Sequence, residues 1–141
     1  MLKIKIKKLN SDAKIPTYAN LGDAGMDIYS CEDLVIKPKH RALVKTGISM
    51  EFPKGYVALV WDKSGIAKKG LIKIGGVIDP TYRGEYMIMM HNISSKDYIV
   101  KKGEKIAQIL IQKVEVSKIE EVKELSDSKR GAGSFGSSGL N

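Results

Sequence analysis

The sequence is poor in the residues that build metal clusters, disulfides and aromatic platforms. It holds one cysteine, Cys31, so an intrachain disulfide is impossible, and neither His40 nor His91 stands at metal-ligand spacing from it. That scarcity predicts a reducing, cytoplasmic setting and no structural zinc. Long apolar runs are missing as well, and none approaches the roughly 20 residues needed to cross a bilayer. The N-terminus, Met1-Leu2-Lys3-Ile4-Lys5-Ile6-Lys7, alternates charge with branched aliphatics where a signal peptide would show an unbroken apolar stretch, so it is predicted to be a strand. Aromatics make up 6% of the chain and are not interleaved with basic residues, unlike the stacking surfaces of single-strand binders.

What is present is one domain's worth of chain: 141 residues, 43% hydrophobic. With two Phe and one Trp, the core must rest on Ile, Val, Leu and Met, and the β-branched excess favours strands. The net charge of +8 fits a nucleic-acid binder, a binder of small polyanions or a merely lysine-rich surface. Charge alone does not choose among these, but the lysines alternate with aliphatics or sit at turns such as Pro53-Lys54-Gly55, as solvated outer faces do. No direct nucleic-acid contact is expected.

Short β-rich runs recur between turn signals: 2–7, 26–30, 34–36, 42–50, 55–61, 71–78, 86–91, 98–100 and 105–116. Strands this short and regularly punctuated predict an all-β fold, a β-sandwich, jelly roll or barrel. Only Ser64 to Lys69 and the stretch around Ile119 to Leu125 have helical character. The one compositional break comes near Ser126 and divides a β domain, 1–125, from a tail, 126–141. Nine of those last sixteen residues are Gly or Ser, too little apolar surface to offset the entropy of ordering, so the tail is expected to be mobile until something binds.

Five segments dense in Gly, Asp and small polar residues interrupt the strands. They are Asp23-Ala24-Gly25-Met26-Asp27-Ile28, Asp62-Lys63-Ser64-Gly65-Ile66-Ala67, the run from Gly76 to Glu85, Lys102-Gly103-Glu104-Lys105-Ile106-Ala107-Gln108, and the tail from Arg130 to Gly139. Amides of Gly-rich turns, hydroxyls, a cation and Mg²⁺ are the means by which an all-β protein can hold a triphosphate. The second and fifth segments supply such donors. In the third, Asp79 is a carboxylate at a strand end, able to orient and deprotonate a water. Gly131, Gly133 and Gly136 match Gly-x-Gly-x-x-Gly, but no strand and helix flank them, so a dinucleotide site is rejected. Asn92-Ile93-Ser94 fits a glycosylation acceptor, which carries no meaning without a secretory signal.

In order and spacing, the five segments resemble the motifs of the homotrimeric dUTPase family across nearly the whole chain. The resemblance implies a distorted jelly-roll fold, a homotrimer with sites between subunits, and Mg²⁺-dependent hydrolysis of dUTP to dUMP and pyrophosphate. Such a reaction limits uracil in DNA and supplies dUMP for dTMP synthesis. It assigns Asp79 to the attacking water and Asp27 to Mg²⁺ through water. Lys63, Ser64, Gly65 and Gln108 then face the phosphates, and Tyr82 packs on the deoxyribose and excludes a 2′-hydroxyl. Main chain of a hairpin from Gly76 through Ile78 to Glu85 reads uracil, with no room for a 5-methyl group. In the tail, Phe135 stacks over the base, Arg130, Ser137 and Ser138 meet the outer phosphates, Gly136 belongs to a cradle of amides, and the tail closes a site on another chain. Three positions depart from the family pattern. Lys63 replaces a more frequent arginine, keeping charge but losing its bidentate fork. Ser134 stands for glycine and Ser138 for threonine.

A dCTP deaminase, similar in fold, would need a glutamate about ten residues after Asp79. Met89 is there, and a thioether shuttles no protons. A regulatory binding protein of the same fold is the rival from another class. The joint presence of Asp27, Ser64, Asp79, Tyr82, Gln108, Arg130 and Phe135 favours turnover over a decayed site.

Overall fold

In a computed structural model, residues 1–139 are described, so the last two positions of the expected tail lie outside the description. Eleven strands and one short helix are formed, and every strand pairing is antiparallel. They are β1 (Lys5–Lys8), β2 (Met26–Tyr29), β3 (Leu34–Ile36), β4 (Arg41–Val44), β5 (Ile48–Glu51), β6 (Tyr56–Trp61), α1 (Ser64–Ala67), β7 (Leu71–Lys73), β8 (Val77–Ile78), β9 (Ile88–Asn92), β10 (Tyr98–Val100) and β11 (Lys105–Lys113). The chain adopts the all-β fold expected from the punctuation, in the jelly-roll form that the family resemblance implied. No described helix is long and apolar enough to cross a membrane.

Two sheets position the site. One has the order β2-β11-β6-β8, the other β4-β9-β7; smaller pairs β1-β5 and β3-β10 complete the roll. Inward side chains of both sheets, among them Ile28, Val44, Leu71, Ile88, Met90 and Ile109, bury completely or nearly so and form one core, which Phe52 and Tyr86 supplement. Burial of such aliphatic area, at about 25 cal/mol per Å², is the main favourable term holding the sheets together. Asn92 is buried too, its amide donating to the Ile36 and Lys96 carbonyls, which settles it as a structural residue.

Several expected elements come out differently. The run 42–50 is two strands, because Gly47 adopts φ +66° and turns the chain between β4 and β5. The run 71–78 is likewise split, by Gly75 and Gly76 at φ +71° and +113°. As a result, the segment from Gly76 to Glu85 is not a hairpin: β8 pairs with β6, while β9 pairs with β4 and β7, so residues 79–87 bridge two sheets. No helix forms around Ile119 to Leu125. Ile119, Val122 and Leu125 have helical spacing but remain exposed, and an isolated segment this short cannot hold a helix without a surface to pack on.

Candidate active site

A cavity of about 380 Å³ opens where β8 ends and the bridging loop begins. Gly76, Ile78, Asp79 and Tyr82 all line it, with Glu85, Tyr86 and Met89 among the remaining walls. Its geometry follows from local constraints. Gly76 carries φ +113°, and a Cβ there would come within 2.8 Å of the Val60 side chain, so only glycine brings β8 alongside β6. The Val60 amide donates to the Gly76 carbonyl at 2.8 Å. Since β8 ends the sheet order, one row of its backbone N–H and C=O groups faces away from β6.

Pro80 then starts a tight turn in which the Tyr82 amide donates to the Asp79 carbonyl at 3.1 Å. Arg83 braces that turn, donating to the Pro80 carbonyl at 2.7 Å and to the Tyr82 carbonyl at 3.0 Å. Glu85 ties the loop to the body by accepting from the Gly47 amide at 2.9 Å. The Tyr82 hydroxyl donates to the Glu85 carbonyl at 3.0 Å, and its ring lies where a side chain on Gly84 would be, so any larger residue at Gly84 would displace that ring. Asp79 stays exposed at the rim.

A second cluster forms where β2, β11 and the end of β6 meet. Gln108 stands opposite Asp27 on one side and Trp61 on the other, and its amide donates to the Asp62 carbonyl at 2.9 Å. Gly25 leaves room for it, since a Cβ there would collide with the Gln108 amide. Asp27 is only 3% exposed, yet it is charged: Lys63 meets one carboxylate oxygen and Lys105 the other, the latter at 2.7 Å. Burial works against that charge, but the ammonium groups of Lys105 and Lys63 outweigh it and hold the carboxyl below its ordinary value. The same pairing pushes the Lys105 ammonium pKa up. Ser64 and Gly65 open α1 and are exposed, while Ile66 anchors that turn in the core. Among the described residues no group of three or more His, Cys, Asp or Glu gathers as a metal cluster.

The tail residues Arg130, Phe135, Gly136, Ser137 and Ser138 are exposed, Phe135 completely so. Among the described residues their hydrogen bonds stay within the tail, as in Arg130 Nε to the Gly133 carbonyl at 2.9 Å. One chain therefore brings the expected residues together in two groups and leaves the third group apart.

The dUTPase family model matches residues 11–139, which is nearly everything from the first turn to the tail. The chain belongs to the dUTPase family. Among its relatives, the deoxyuridine 5′-triphosphate nucleotidohydrolase of Clostridioides difficile is 49% identical over 143 residues, spanning 99% of this chain and all 100% of that protein. The corresponding protein of Hydrogenobaculum is 44% identical, spanning 99% of each. Among solved structures, the dUTPase of Staphylococcus bacteriophage 80alpha with dUpNHpp superimposes with a TM-score of 0.89 at 30% identity, covering 98% of this chain and 99% of that one. A variant dUTPase from phage phi11 of S. aureus, described as coordinating a structural Mg(II) ion, gives 0.84 at 26% identity over 89% of this chain and 99% of its own.

Within this dUTPase-family fold, three contributors escaped sequence reasoning. Lys105 was legible as part of the fourth segment but was given no role of its own, and only the register of β11 against β2 reveals its partner. Glu85 was legible as part of a motif but not as an anchor to Gly47. Tyr86 reads as a core aromatic, and nothing in its spacing marks it as a wall of the cavity.

Proposed function

We propose that this chain hydrolyses dUTP to dUMP and pyrophosphate, with the base and sugar in the cavity and the triphosphate running toward the Asp27 cluster. The observation that carries the reading is the convergence of Gly76, Ile78, Asp79 and Tyr82 on one cavity beside an open strand edge. Uracil offers two carbonyls and an N–H along one side, the complement of a strand's outward groups, so main chain of Val77 and Ile78 can read it, whereas cytosine presents a ring-nitrogen acceptor and an amino donor in place of the N–H and one carbonyl. On this reading a 5-methyl group on the base would collide with the segment from Gly76 to Glu85. Tyr82 packs against the deoxyribose and meets a 2′-hydroxyl with its ring.

Asp79 orients a water and accepts its proton as the oxygen bonds to the α-phosphorus and the bond to the pyrophosphate oxygen breaks. Lys63, Ser64, Gly65 and Gln108 face the phosphates. Mg²⁺ characteristically keeps several waters and takes one or two carboxylates plus substrate oxygens, and a single buried Asp27 fits that mode better than direct caging. When bound, the ion neutralises phosphate charge. Phosphate oxygens also give Lys63 and Lys105 an alternative to Asp27, which leaves its carboxylate for the ion's waters. Arg130, Phe135, Gly136, Ser137 and Ser138 complete the site as a lid from another chain of a homotrimer, a reading supported by hydrogen bonds that, among the described residues, join the tail only to itself.

Pyrophosphate release from dUTP, dTTP, dCTP and UTP, with Mg²⁺ and with a chelator, tests this. Release from dUTP alone, lost on chelation, is expected. Binding of dUTP without turnover would instead establish a regulatory binding protein.

A further inference from the structure

Tyr82 is offered backbone rather than side chains by its own loop. It sits on a loop between sheets, it is exposed, and its neighbour Gly84 contributes no side chain. Its hydroxyl donates to the Glu85 carbonyl, which fixes the far end of the ring, but one bond at that end does not by itself set the ring plane. The plane is fixed by Tyr86, whose ring centroid lies 6.0 Å away at a tilt of 36°, within the range where aromatic pairs attract. Tyr86 is itself anchored in the core: it is 1% exposed, its amide donates to the Ile48 carbonyl at 2.9 Å, and its own carbonyl accepts from the Thr46 hydroxyl.

We infer that Tyr86 is a positioning residue which sets the deoxyribose-over-ribose preference of the site by buttressing the Tyr82 ring from the core side. The contact that matters is the ring. The Tyr86 hydroxyl finds no hydrogen-bond partner among the described residues, and burial pushes its pKa up to about 12, so it adds neither a directed bond nor charge at working pH. A rocking Tyr82 would still bind the sugar but would yield to a 2′-hydroxyl, so loosening the buttress should admit UTP before it harms dUTP turnover.

This inference rests on the reading that Tyr82 faces the sugar, and the experiment separates the two. The kcat/KM values for dUTP and UTP are measured for the wild type, Tyr86→Phe, Tyr86→Leu, Tyr86→Met, Tyr82→Ala and the Tyr82→Ala/Tyr86→Leu pair. Their ratio does not depend on how much of each preparation is folded, so a partly unfolded variant still reports. Tyr86→Leu and Tyr86→Met should lower the dUTP:UTP ratio by roughly tenfold, a size usual for coupling between touching side chains, mainly through better use of UTP. Tyr86→Phe should keep the wild-type ratio, and Tyr86→Leu should change nothing further once Tyr82 is alanine. An unchanged ratio in the Leu and Met variants, with Tyr82→Ala lowering it, overturns the inference alone. An unchanged ratio in Tyr82→Ala overturns the placement of Tyr82 on the sugar, and the inference falls with it.

Discussion

Asp79 is the side chain on which the proposed chemistry turns, and its backbone and carboxylate have separate tasks. Its carbonyl holds the turn by accepting from the Tyr82 amide, a bond that asparagine keeps. Asp79→Asn should therefore fold and bind dUTP normally while pyrophosphate release falls by about 10² to 10⁴, the usual loss for a removed general base. Hydrolysis within a few-fold of wild type would end the assignment. Tyr86 makes the opposite kind of prediction. Its buried hydroxyl lacks a partner among the described residues, and leaving such a group unpaired costs about 1 to 3 kcal/mol. Tyr86→Phe should raise the melting temperature, and a lower one would mean that the hydroxyl is paired in the assembled protein.

At the level of elements, Asp27 fastens three pieces of chain: β2, which carries it, the start of β11 through Lys105, and the approach to α1 through Lys63. Because its folded pKa lies below the ordinary 3.8, its contribution to stability is fully present above that value and is lost as pH falls through the folded pKa. Denaturant melts of wild type and Asp27→Asn should differ at neutral pH and converge on acidification below about pH 4. A gap that persists unchanged in strong acid would show that the ion pairs are not its source. The tail is a second element with a separable role. Deleting Arg130 to Asn141 removes, among the described residues, only exposed ones, so the melting curve should stay near wild type while dUTP hydrolysis drops sharply. Phe135→Ala, which takes away only base stacking worth about 1 to 3 kcal/mol, should fall between the two.

The strands were largely legible because alternation and glycine punctuation act locally. Leu34–Ile36 and Tyr98–Val100 have the bounds expected. The breaks at Gly47 and Gly75-Gly76 were not, because a glycine inside an apolar run looks the same whether its φ is negative or positive. Ile119 to Leu125 misled for the converse reason: its period is helical, but period says nothing about whether a covering surface exists. In the site, motif glycines and acids stood out against the strand pattern. Lys105 and Tyr86 did not, since each obeys that pattern while serving through a contact between distant segments.

For the whole molecule, the separation of tail from cavity within one chain leads to a test on mixed assemblies. If each site is completed by another chain's tail, two inactive proteins can repair one another. Asp79→Asn supplies intact tails, and the 130–141 deletion supplies intact Asp79. Each alone should be nearly inactive, whereas chains unfolded together and refolded as mixed trimers should regain a measurable fraction of dUTP hydrolysis. No recovery in confirmed mixed trimers would mean that each tail serves its own chain's site.

The open side of β8 carries one more consequence, for solubility. A strand edge able to pair with a pyrimidine is equally able to pair with another protein's strand, and exposed edges nucleate aggregation. Here the edge is two residues long. Gly75 and Gly76 turn the chain away before it, and Pro80, which has no N–H to offer, closes it soon after Asp79. An invading strand would find too short a template to hold, while a single flat base needs no more. Replacing Pro80 with a β-former, which restores an N–H beside this edge, should show up as concentration-dependent light scattering.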